Sequence, residues 1–371
     1  MTHKPAKTVS SQLKSLFALS TVSLLAACSQ PQAPNYEAKV NTTILEDYQA
    51  LAAESEKLQS AAAECKASPT LDTMQSLKPH WESTMSAWQE IQWVTYGPIT
   101  ESSRQWQLEF WPDQKNIIGR KMKALLAKDT VSEEDLKKAG AIVQGLTALE
   151  YLIYDESAAT TDPTKSCHLA QMISNSLAQT TQQVANEWVE FGDEQLAQSQ
   201  NQAEISPEKI SENTTQLLSA HLNHLNLIVH KKLENPLAVS LTKETEAASH
   251  KKSRPNAYFL ESWRSGQSYQ NVKDNYASLK TFLLDDGFIQ YLKDQGHEKI
   301  AVQIEKKLNE IDPLISEEAY FSFTQIQNKE WNKDKSQTLF IKLHDLNKLL
   351  AKDVVNALGI LISFNASDGD F

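Results

Sequence analysis

Glycine and proline, which most tight turns require, are scarce in this sequence, with 10 and 12 of 371 positions. A protein built from short strands needs many such turns. The abundant residues are instead alanine, leucine, glutamine, glutamate and lysine, which are good helix formers. The scarcity of turn residues disfavours a β-rich fold, and the composition predicts an all-α protein.

Long apolar runs are also missing, apart from a short one near the N-terminus. It covers about residues 15–27 and follows Lys4, Lys7 and Lys14, the pattern of a bacterial secretory signal. The run is too short to span a bilayer comfortably. It ends in Leu-Ala-Ala-Cys at residues 25–28, which resembles a lipobox. We therefore predict a signal peptide at residues 1–27 and acylation of Cys28.

The lipobox resemblance implies a protein of the cell envelope, anchored to a membrane through lipid on Cys28. Ser29 follows the cysteine, where an aspartate would favour retention in the inner membrane. We therefore predict that the protein lies on the periplasmic side of the outer membrane, with residues 28–40 as its tether.

Positive charge is in deficit, because 36 lysines and arginines face 47 acidic residues and the formal net charge is −11. This balance disfavours nucleic acid and anionic lipid as partners. It is compatible with binding of cations, although an acidic surface also simply keeps a protein soluble. We predict no nucleic-acid partner.

Cysteine is rare as well, and only Cys65 and Cys167 remain once Cys28 carries lipid. In an oxidising periplasm these two residues are expected to form a disulfide. Two separate buried thiols are the alternative, because the sequence shows no distance between them.

Helical periodicity organises most of the chain after the tether. Between residues 71 and 91 the apolar positions recur at steps of three and four, which predicts one buried face of a long helix: Leu71, Met74, Leu77, Trp81, Met85, Trp88 and Ile91. The polar segment 192–207 is the best candidate for a linker. We therefore predict two tandem helical bundles, at 41–195 and 205–371, whose similar length is compatible with an ancient duplication.

Four separated motifs carry a family resemblance. They occupy residues 97–116, 145–152, 261–265 and 358–370. In this order they resemble the imelysin-like family of bacterial periplasmic and outer-membrane proteins, and the resemblance covers nearly all of the mature chain. It implies an all-helical pair of bundles and a link to iron uptake. Some members were first described as peptidases.

The family signature is Gly-x-His-x-x-Glu, and the matching positions here are Gly145, Thr147 and Glu150. The histidine is replaced by Thr147, whose hydroxyl is neither a strong transition-metal ligand nor a base near neutral pH. Glu150 could still hold a metal ion. Alternatively, it pairs with an arginine such as Arg104 and fixes the register of the bundle.

The second motif contributes Glu101, Arg104 and Asp113 as candidates for the same site. Glu101 and Arg104 are three residues apart, so an ion pair on one helical face is an equal alternative. In the second half, Trp263 and Arg264 could line an interdomain crevice. A metal set of Glu101, Asp113 and Glu150 offers hard oxygen ligands, which suit ferric ion or calcium better than zinc or copper.

Three histidines lie close together at His221, His224 and His230. The first two are three residues apart on a predicted helix, where a metal pair would need further ligands. A solvated helix face is the preferred interpretation.

Peptidase chemistry has no support at the level of residues, because the HExxH zinc motif and the Gly-x-Ser-x-Gly elbow are both absent. We predict a non-enzymatic binding lipoprotein in iron or other metal uptake. Its ligand would be iron or another metal, a metal chelate or haem, and iron-uptake proteins are candidate partners. A hydrolase and a purely structural interaction module are the alternatives.

Overall fold

The structure is a computed structural model that describes residues 36–159, 162–205, 209–241 and 254–361. These residues form helices, turns and irregular connections, and none of them is in a strand. The prediction of an all-α fold is confirmed. The predicted signal peptide at 1–27 and Cys28 lie outside the described residues, as does most of the last family motif. Within the described part, no helix has the length and apolar character needed to cross a membrane.

The first half of the chain contains two very long helices, α1 and α9, with shorter ones between them. Its helices are α1 (Tyr36–Ala67), α2 (Leu71–Gln75), α3 (Leu77–Ile91), α4 (Arg104–Leu108), α5 (Ile117–Leu126), α6 (Glu133–Ala139), α7 (Leu146–Tyr154), α8 (Glu156–Ala159) and α9 (Pro163–Ile205). Short 3₁₀ segments at Gly97–Ser103 and Ala141–Val143 lead into α4 and α7.

The second half contains three helices that pass without a break into π-helical segments. Its helices are α10 (Glu212–Asn226), α11 (Asn235–Leu237), α12 (Ser268–Lys280), α13 (Phe288–Asp294), α14 (Glu298–Ile315), α15 (Phe323–Gln327), α16 (Lys333–Lys348) and α17 (Val355–Leu358). The π segments are Leu227–Glu234 after α10, Thr281–Asp285 after α12 and Leu349–Val354 after α16, and a 3₁₀ turn lies at Ala257–Phe259.

Helices α1 and α9 pack against each other and form one side of the core. The buried face of α1 follows steps of three and four, as in Val40, Ile44, Leu51 and Leu58. A disulfide joins Cys65 near the end of α1 to Cys167 in the first turns of α9, with the two Cα atoms 5.3 Å apart. The thiol pair is thus bonded in the structure, and both residues are fully buried.

Helix α3 connects the two halves, because it packs on α1 and also on α12. Its predicted apolar face, including Trp81, Met85 and Trp88, is buried. The predicted stripe begins too early, since Leu71 belongs to the separate helix α2 and is 55% exposed. Residues Asn35–Phe371 cluster as one compact unit, and the division into bundles at 41–195 and 205–371 stays a prediction.

Two boundaries differ from the sequence prediction. Helix α1 begins at Tyr36, so the last residues of the predicted tether 28–40 are helical. Helix α9 continues to Ile205, so the predicted linker is helical as far as that residue. Although this segment is polar, it packs against α1, where Ser199 is buried and donates a hydrogen bond to Glu37.

Candidate functional site

A cleft lies where the start of α7 meets the chain around residues 109–113 and the segment 258–264. It has about 330 Å³ of space between its walls, open solvent included. We define the cleft by the residues that line it: Glu109, Trp111, Asp113, Thr147, Glu150, Tyr258, Leu260, Ser262, Trp263 and Arg264. Five of the predicted site residues, drawn from three separated motifs, therefore meet here.

Gly145 makes this meeting possible, because the backbone of residues 107 and 108 passes directly against it. A Cβ atom on Gly145 would lie 2.2 Å from the carbonyl oxygen of Gln107 and 2.3 Å from that of Leu108. No side chain fits there. Gly145 precedes the first turn of α7, and Trp81 fixes that turn by donating its indole N–H to the carbonyl of Leu146 at 2.9 Å.

Glu150 is buried in the wall of the cleft, with only 1% of its surface exposed. Its Oε1 accepts hydrogen bonds from the backbone N–H of Ser265 at 2.9 Å and from the Ser265 hydroxyl at 3.0 Å. Burial raises the pKa of Glu150 above its ordinary value, although Arg264 and the bonds from Ser265 work against this. Glu150 therefore keeps its proton to a higher pH than an exposed glutamate does.

The alternative in which Glu150 pairs with Arg104 is wrong, because Arg104 is engaged elsewhere, and the arginine that acts on Glu150 is Arg264. The Arg104 guanidinium donates to Glu187 at 3.0 Å through Nη2 and to the carbonyl of Pro98 at 2.7 Å through Nη1. Glu101 forms with Arg104 the ion pair that the sequence analysis gave as an alternative, at 3.8 Å, and its own side chain is 66% exposed. Neither Glu101 nor Arg104 lines the cleft.

Asp113 lines the cleft but also caps a helix. Its two carboxylate oxygens accept the backbone N–H groups of Ile117 at 2.7 Å and Ile118 at 2.9 Å, at the start of α5. This satisfies N–H groups that have no partner inside the helix. Thr147, at the position of the signature histidine, donates its hydroxyl to the carbonyl of Phe110 at 3.4 Å.

Arg264 links its own part of the cleft wall to two other segments of the chain. Its Nε donates to Asp155 at 2.8 Å and its Nη2 to the side chain of Asn116 at 3.0 Å. The guanidinium also lies 4.1 Å from the centre of the Trp263 ring, and the arginine side chain is only 3% exposed. Although burial opposes it, the hydrogen bonds from Ser157 and Arg264 hold the pKa of Asp155 below its usual value.

Lys232, which the sequence analysis did not single out, anchors a buried polar network behind the cleft. The residue is 2% exposed. Its ammonium contacts Glu261 at 2.8 Å and the side-chain oxygens of Gln89, Gln92 and Asn275 at 2.6, 2.9 and 2.7 Å. The sequence could have indicated that Lys232 is buried, because residues 221, 225, 228 and 232 lie on one helical face and the first three are buried.

Glu109 lines the cleft and was not predicted as a site residue. Its Oε2 accepts the indole N–H of Trp88 at 2.7 Å and an amide N–H of Gln92 at 2.9 Å. Burial, followed by the neighbouring Glu261 carboxylate, raises the pKa of Glu109 to about 8, and Lys232 opposes this only in part. Glu109 is therefore mostly protonated at neutral pH. Its place inside the Leu-Glu-Phe-Trp motif was the available signal.

The prediction of a solvated face for His221 and His224 is wrong, since both are buried, at 2% and 7% exposed. The His221 ring is stacked between Trp93 and Phe282, with 3.9 Å between ring centres on each side. Burial lowers the pKa of His221 to about 3. His230 is exposed as predicted and contacts Glu234 at 2.5 Å.

The cleft does not offer a complete set of protein ligands for a metal ion. Asp113 is engaged as a helix cap, Glu150 is held by Ser265, and Glu101 is elsewhere. Among the residues that the structure describes, no group of three or more His, Cys, Asp or Glu side chains is placed to hold a metal ion. The donor set therefore does not fit an ion bound by the protein alone.

Comparisons with known proteins agree with this architecture. No curated protein matches the chain. Among solved structures, an imelysin-like protein from Psychrobacter arcticum 273-4 is 20% identical, with a TM-score of 0.71, over 89% of this chain and 96% of that one. A second structure, described as an iron-regulated protein A precursor from Parabacteroides distasonis ATCC 8503, is 14% identical, with a TM-score of 0.58, over 87% and 97% of the two chains.

These two likenesses establish a shared fold. The match to a family is more specific, because the model of the family described as Imelysin (Peptidase M75) covers residues 44–350. That range includes the signature positions Gly145 and Glu150 and the whole cleft. The chain therefore belongs to the imelysin family.

Proposed function

We propose that this protein is a non-enzymatic binding protein of the cell envelope that takes part in iron acquisition, and that the cleft is its ligand site. One observation carries the proposal: residues of three separated motifs converge on a single cleft with buried Glu150 at its base. Membership of the imelysin family supports the link to iron, as does the shared fold with a protein described as iron-regulated.

The ligand that fits this cleft best is an iron chelate rather than a bare ion. A chelate brings its own oxygen ligands, so the protein needs to supply only shape, hydrogen bonds and charge. The figure of about 330 Å³ includes open solvent, and the room between the walls is about what one water molecule needs. A chelate would therefore contact the mouth of the cleft, and the cleft cannot enclose a haem macrocycle.

The same proposal places the protein on the periplasmic side of the outer membrane, with lipid on Cys28 as its anchor. The lipobox at residues 25–28 and Ser29 support this location. Replacement of Cys28 by serine should release the protein from the membrane fraction, and mass spectrometry should find acyl chains on Cys28 of the unaltered protein only. Recovery of both forms in the same membrane fraction would remove the anchor from the account.

Titration calorimetry tests the binding role. The protein would begin at Ser29, which retains the compact unit Asn35–Phe371, and the ligands would be ferric trihydroxamate, ferric citrate and ferric catecholate. We expect saturable binding of at least one chelate and its loss in Glu150→Gln. The matched control is Glu134→Gln, which removes one charge from an exposed surface position.

Two outcomes would overturn the proposal. If none of the chelates binds, a binding role in iron acquisition at this cleft is contradicted. If the purified protein cleaves a peptide substrate and Glu150→Gln abolishes that cleavage, the hydrolase alternative replaces it.

A further inference from the structure

Two segments that are far apart in the chain form most of the cleft. One is the 260–264 segment, which contributes Leu260, Ser262, Trp263 and Arg264, and the other is the 109–113 segment, which contributes Glu109, Trp111 and Asp113. The position of these segments relative to each other sets the shape of the cleft. Lys232, whose side chain is only 2% exposed, is linked to both of them from behind.

Lys232 holds the 260–264 segment through Glu261. Its ammonium contacts the Glu261 carboxylate at 2.8 Å. Asn271 donates to the same carboxylate oxygen at 2.6 Å and to the Ser262 hydroxyl at 3.0 Å. Ser262 needs this support, because its φ of +49° lies in the left-handed region that residues other than glycine rarely adopt. The ion pair therefore stabilises a strained part of the cleft wall.

Lys232 reaches the 109–113 segment through Gln92. Its ammonium donates to the side-chain oxygen of Gln92 at 2.9 Å, and the amide N–H of Gln92 donates to Glu109 at 2.9 Å. The ring of Trp111 lies 5.8 Å from the same ammonium, within the distance of a cation–π contact. One buried charge is thus connected to both segments.

The ammonium of Lys232 is fully used inside the protein. Its three N–H groups face four side-chain oxygens at 2.6 to 2.9 Å, which belong to Glu261, Gln89, Gln92 and Asn275. No N–H group is left for a ligand, so Lys232 can act on one only through the residues that it holds. Lys232 also lies in the π-helical segment Leu227–Glu234, and such irregular turns are frequent at functional sites.

We infer that Lys232 is a positioning residue of the cleft, which fixes the 260–264 and 109–113 segments relative to each other and so presets the surface that the ligand contacts. Its bearing on binding rests on the proposed function. A preset surface loses little conformational freedom when a ligand binds, and this favours affinity. Without the ammonium the two segments move independently, and the ligand has to order them.

Lys232→Met tests the inference, because methionine keeps most of the apolar stem and removes the ammonium. Hydrogen–deuterium exchange of the unliganded protein reports on the two segments without any ligand. We expect exchange in both segments to become about tenfold faster, the equivalent of one hydrogen bond to a charged group. Titration calorimetry with ferric trihydroxamate, ferric citrate and ferric catecholate should show about tenfold weaker binding of any chelate that the unaltered protein binds.

A second variant separates loss of position from loss of stability. Lys232→Met leaves the Glu261 carboxylate buried without its cation, which itself destabilises the fold. The double variant Lys232→Met, Glu261→Gln removes this unpaired charge and should regain much of the melting temperature, while exchange in both segments stays fast. Ile304→Ala is the control for general destabilisation, because Ile304 is fully buried in α14 and does not line the cleft. It should lower the melting temperature and leave exchange in both segments unchanged.

The outcomes separate this inference from the proposed function. Unchanged exchange in Lys232→Met, or a double variant that regains slow exchange together with its melting temperature, would overturn the positioning role, because Lys232 would then only balance the charge of Glu261. Faster exchange with unchanged chelate affinity would overturn its bearing on binding. If exchange changes as expected but no chelate binds to the unaltered protein, the binding role fails, whereas Lys232 still positions the two segments.

Discussion

The backbone N–H of Ser265 donates a hydrogen bond to Oε1 of Glu150 at 2.9 Å, across 115 positions of the chain. This bond joins the family signature in α7 to the Trp-Arg-Ser motif of the second half. The Ser265 hydroxyl adds a second bond to the same oxygen at 3.0 Å. Glu150 thus holds two distant segments together at the base of the cleft, in addition to its proposed role in binding.

Truncation of Glu150 should therefore cost stability as well as binding. Glu150→Ala leaves the Ser265 N–H without its acceptor in a buried place, which costs about 1–3 kcal/mol. Glu150→Gln retains an acceptor oxygen and should cost less than about 1 kcal/mol. Urea unfolding of both variants measures the difference. An equal loss in the two variants would show that the hydrogen bonds to Ser265 contribute little.

Gly145 should not tolerate a side chain. A Cβ atom there meets two backbone carbonyl oxygens at 2.2 and 2.3 Å, so Gly145→Ala must displace the chain around residues 107 and 108. We expect a loss of about 1–3 kcal/mol in the free energy of unfolding, typical of overpacking, together with weaker ligand binding.

Gly359→Ala is the control for this substitution. Gly359 differs from Gly145 in that its backbone conformation disfavours a side chain, with a φ of +64°, while a Cβ atom there would have no atom within 4 Å. It should lose about 1 kcal/mol from backbone strain alone and keep its ligand affinity. Equal affinity of the two variants would argue that Gly145 does not shape the cleft.

The architecture was largely readable from the sequence because burial follows helical periodicity. Residues such as Trp81, Met85 and Trp88 were assigned to the core from their spacing, and the structure buries them. The same periodicity could have predicted that Lys232 is buried. Its sequence neighbour is also a lysine, however, and two adjacent lysines are typical of a solvated surface. His221 was misjudged for a similar reason, since its aromatic partners come from distant segments.

The pairing of distant charged groups could not be predicted, because spacing along a helix reports only near neighbours. Glu101 and Arg104 form the ion pair that their spacing allows, at 3.8 Å, but the shorter contact of Arg104 with a carboxylate is to Glu187, 83 positions away, at 3.0 Å. Likewise, the motifs marked Glu150 and Asp113, which both line the cleft, whereas their hydrogen-bond partners, Ser265 and the start of α5, depend on the tertiary fold.

Acid should weaken the fold through His221. Its folded-state pKa of about 3 lies below the ordinary value of 6.5, so the unfolded chain binds the proton more readily between these values. Stability is therefore lost as the pH falls below about 6.5. From pH 7 to pH 5 the loss from this residue is about 2 kcal/mol.

Glu109 acts in the opposite direction, because folding raises its pKa to about 8 from 4.5. Its contribution to stability therefore declines as the pH rises through that range, and it would mask part of the effect of His221.

The readout for His221 is therefore the difference in the free energy of unfolding between the unaltered protein and His221→Phe, measured by urea unfolding at pH 7 and pH 5. This difference should change by about 2 kcal/mol in favour of the variant at pH 5. A constant difference would show that His221 has the same pKa in the folded and the unfolded protein.

The disulfide should contribute strongly to stability. It closes a loop of 102 positions between α1 and α9, and the chain-entropy model assigns about 4 to 5 kcal/mol to a loop of that length. Urea unfolding of a Cys65→Ala, Cys167→Ala double variant measures this contribution. A loss below about 1 kcal/mol would mean that the packing of α1 on α9 holds these helices together without the covalent link.

Hydrogen–deuterium exchange with and without a bound ferric chelate tests the central claim most directly, because it reports where the ligand lies. The account predicts slower exchange in residues 109–118, 145–151 and 258–265, which form and support the cleft, and no change around Glu37 and Gly192, which line a separate pocket. Binding that leaves exchange in these three segments unchanged, or slows exchange only elsewhere, would contradict the assignment of the cleft as the ligand site.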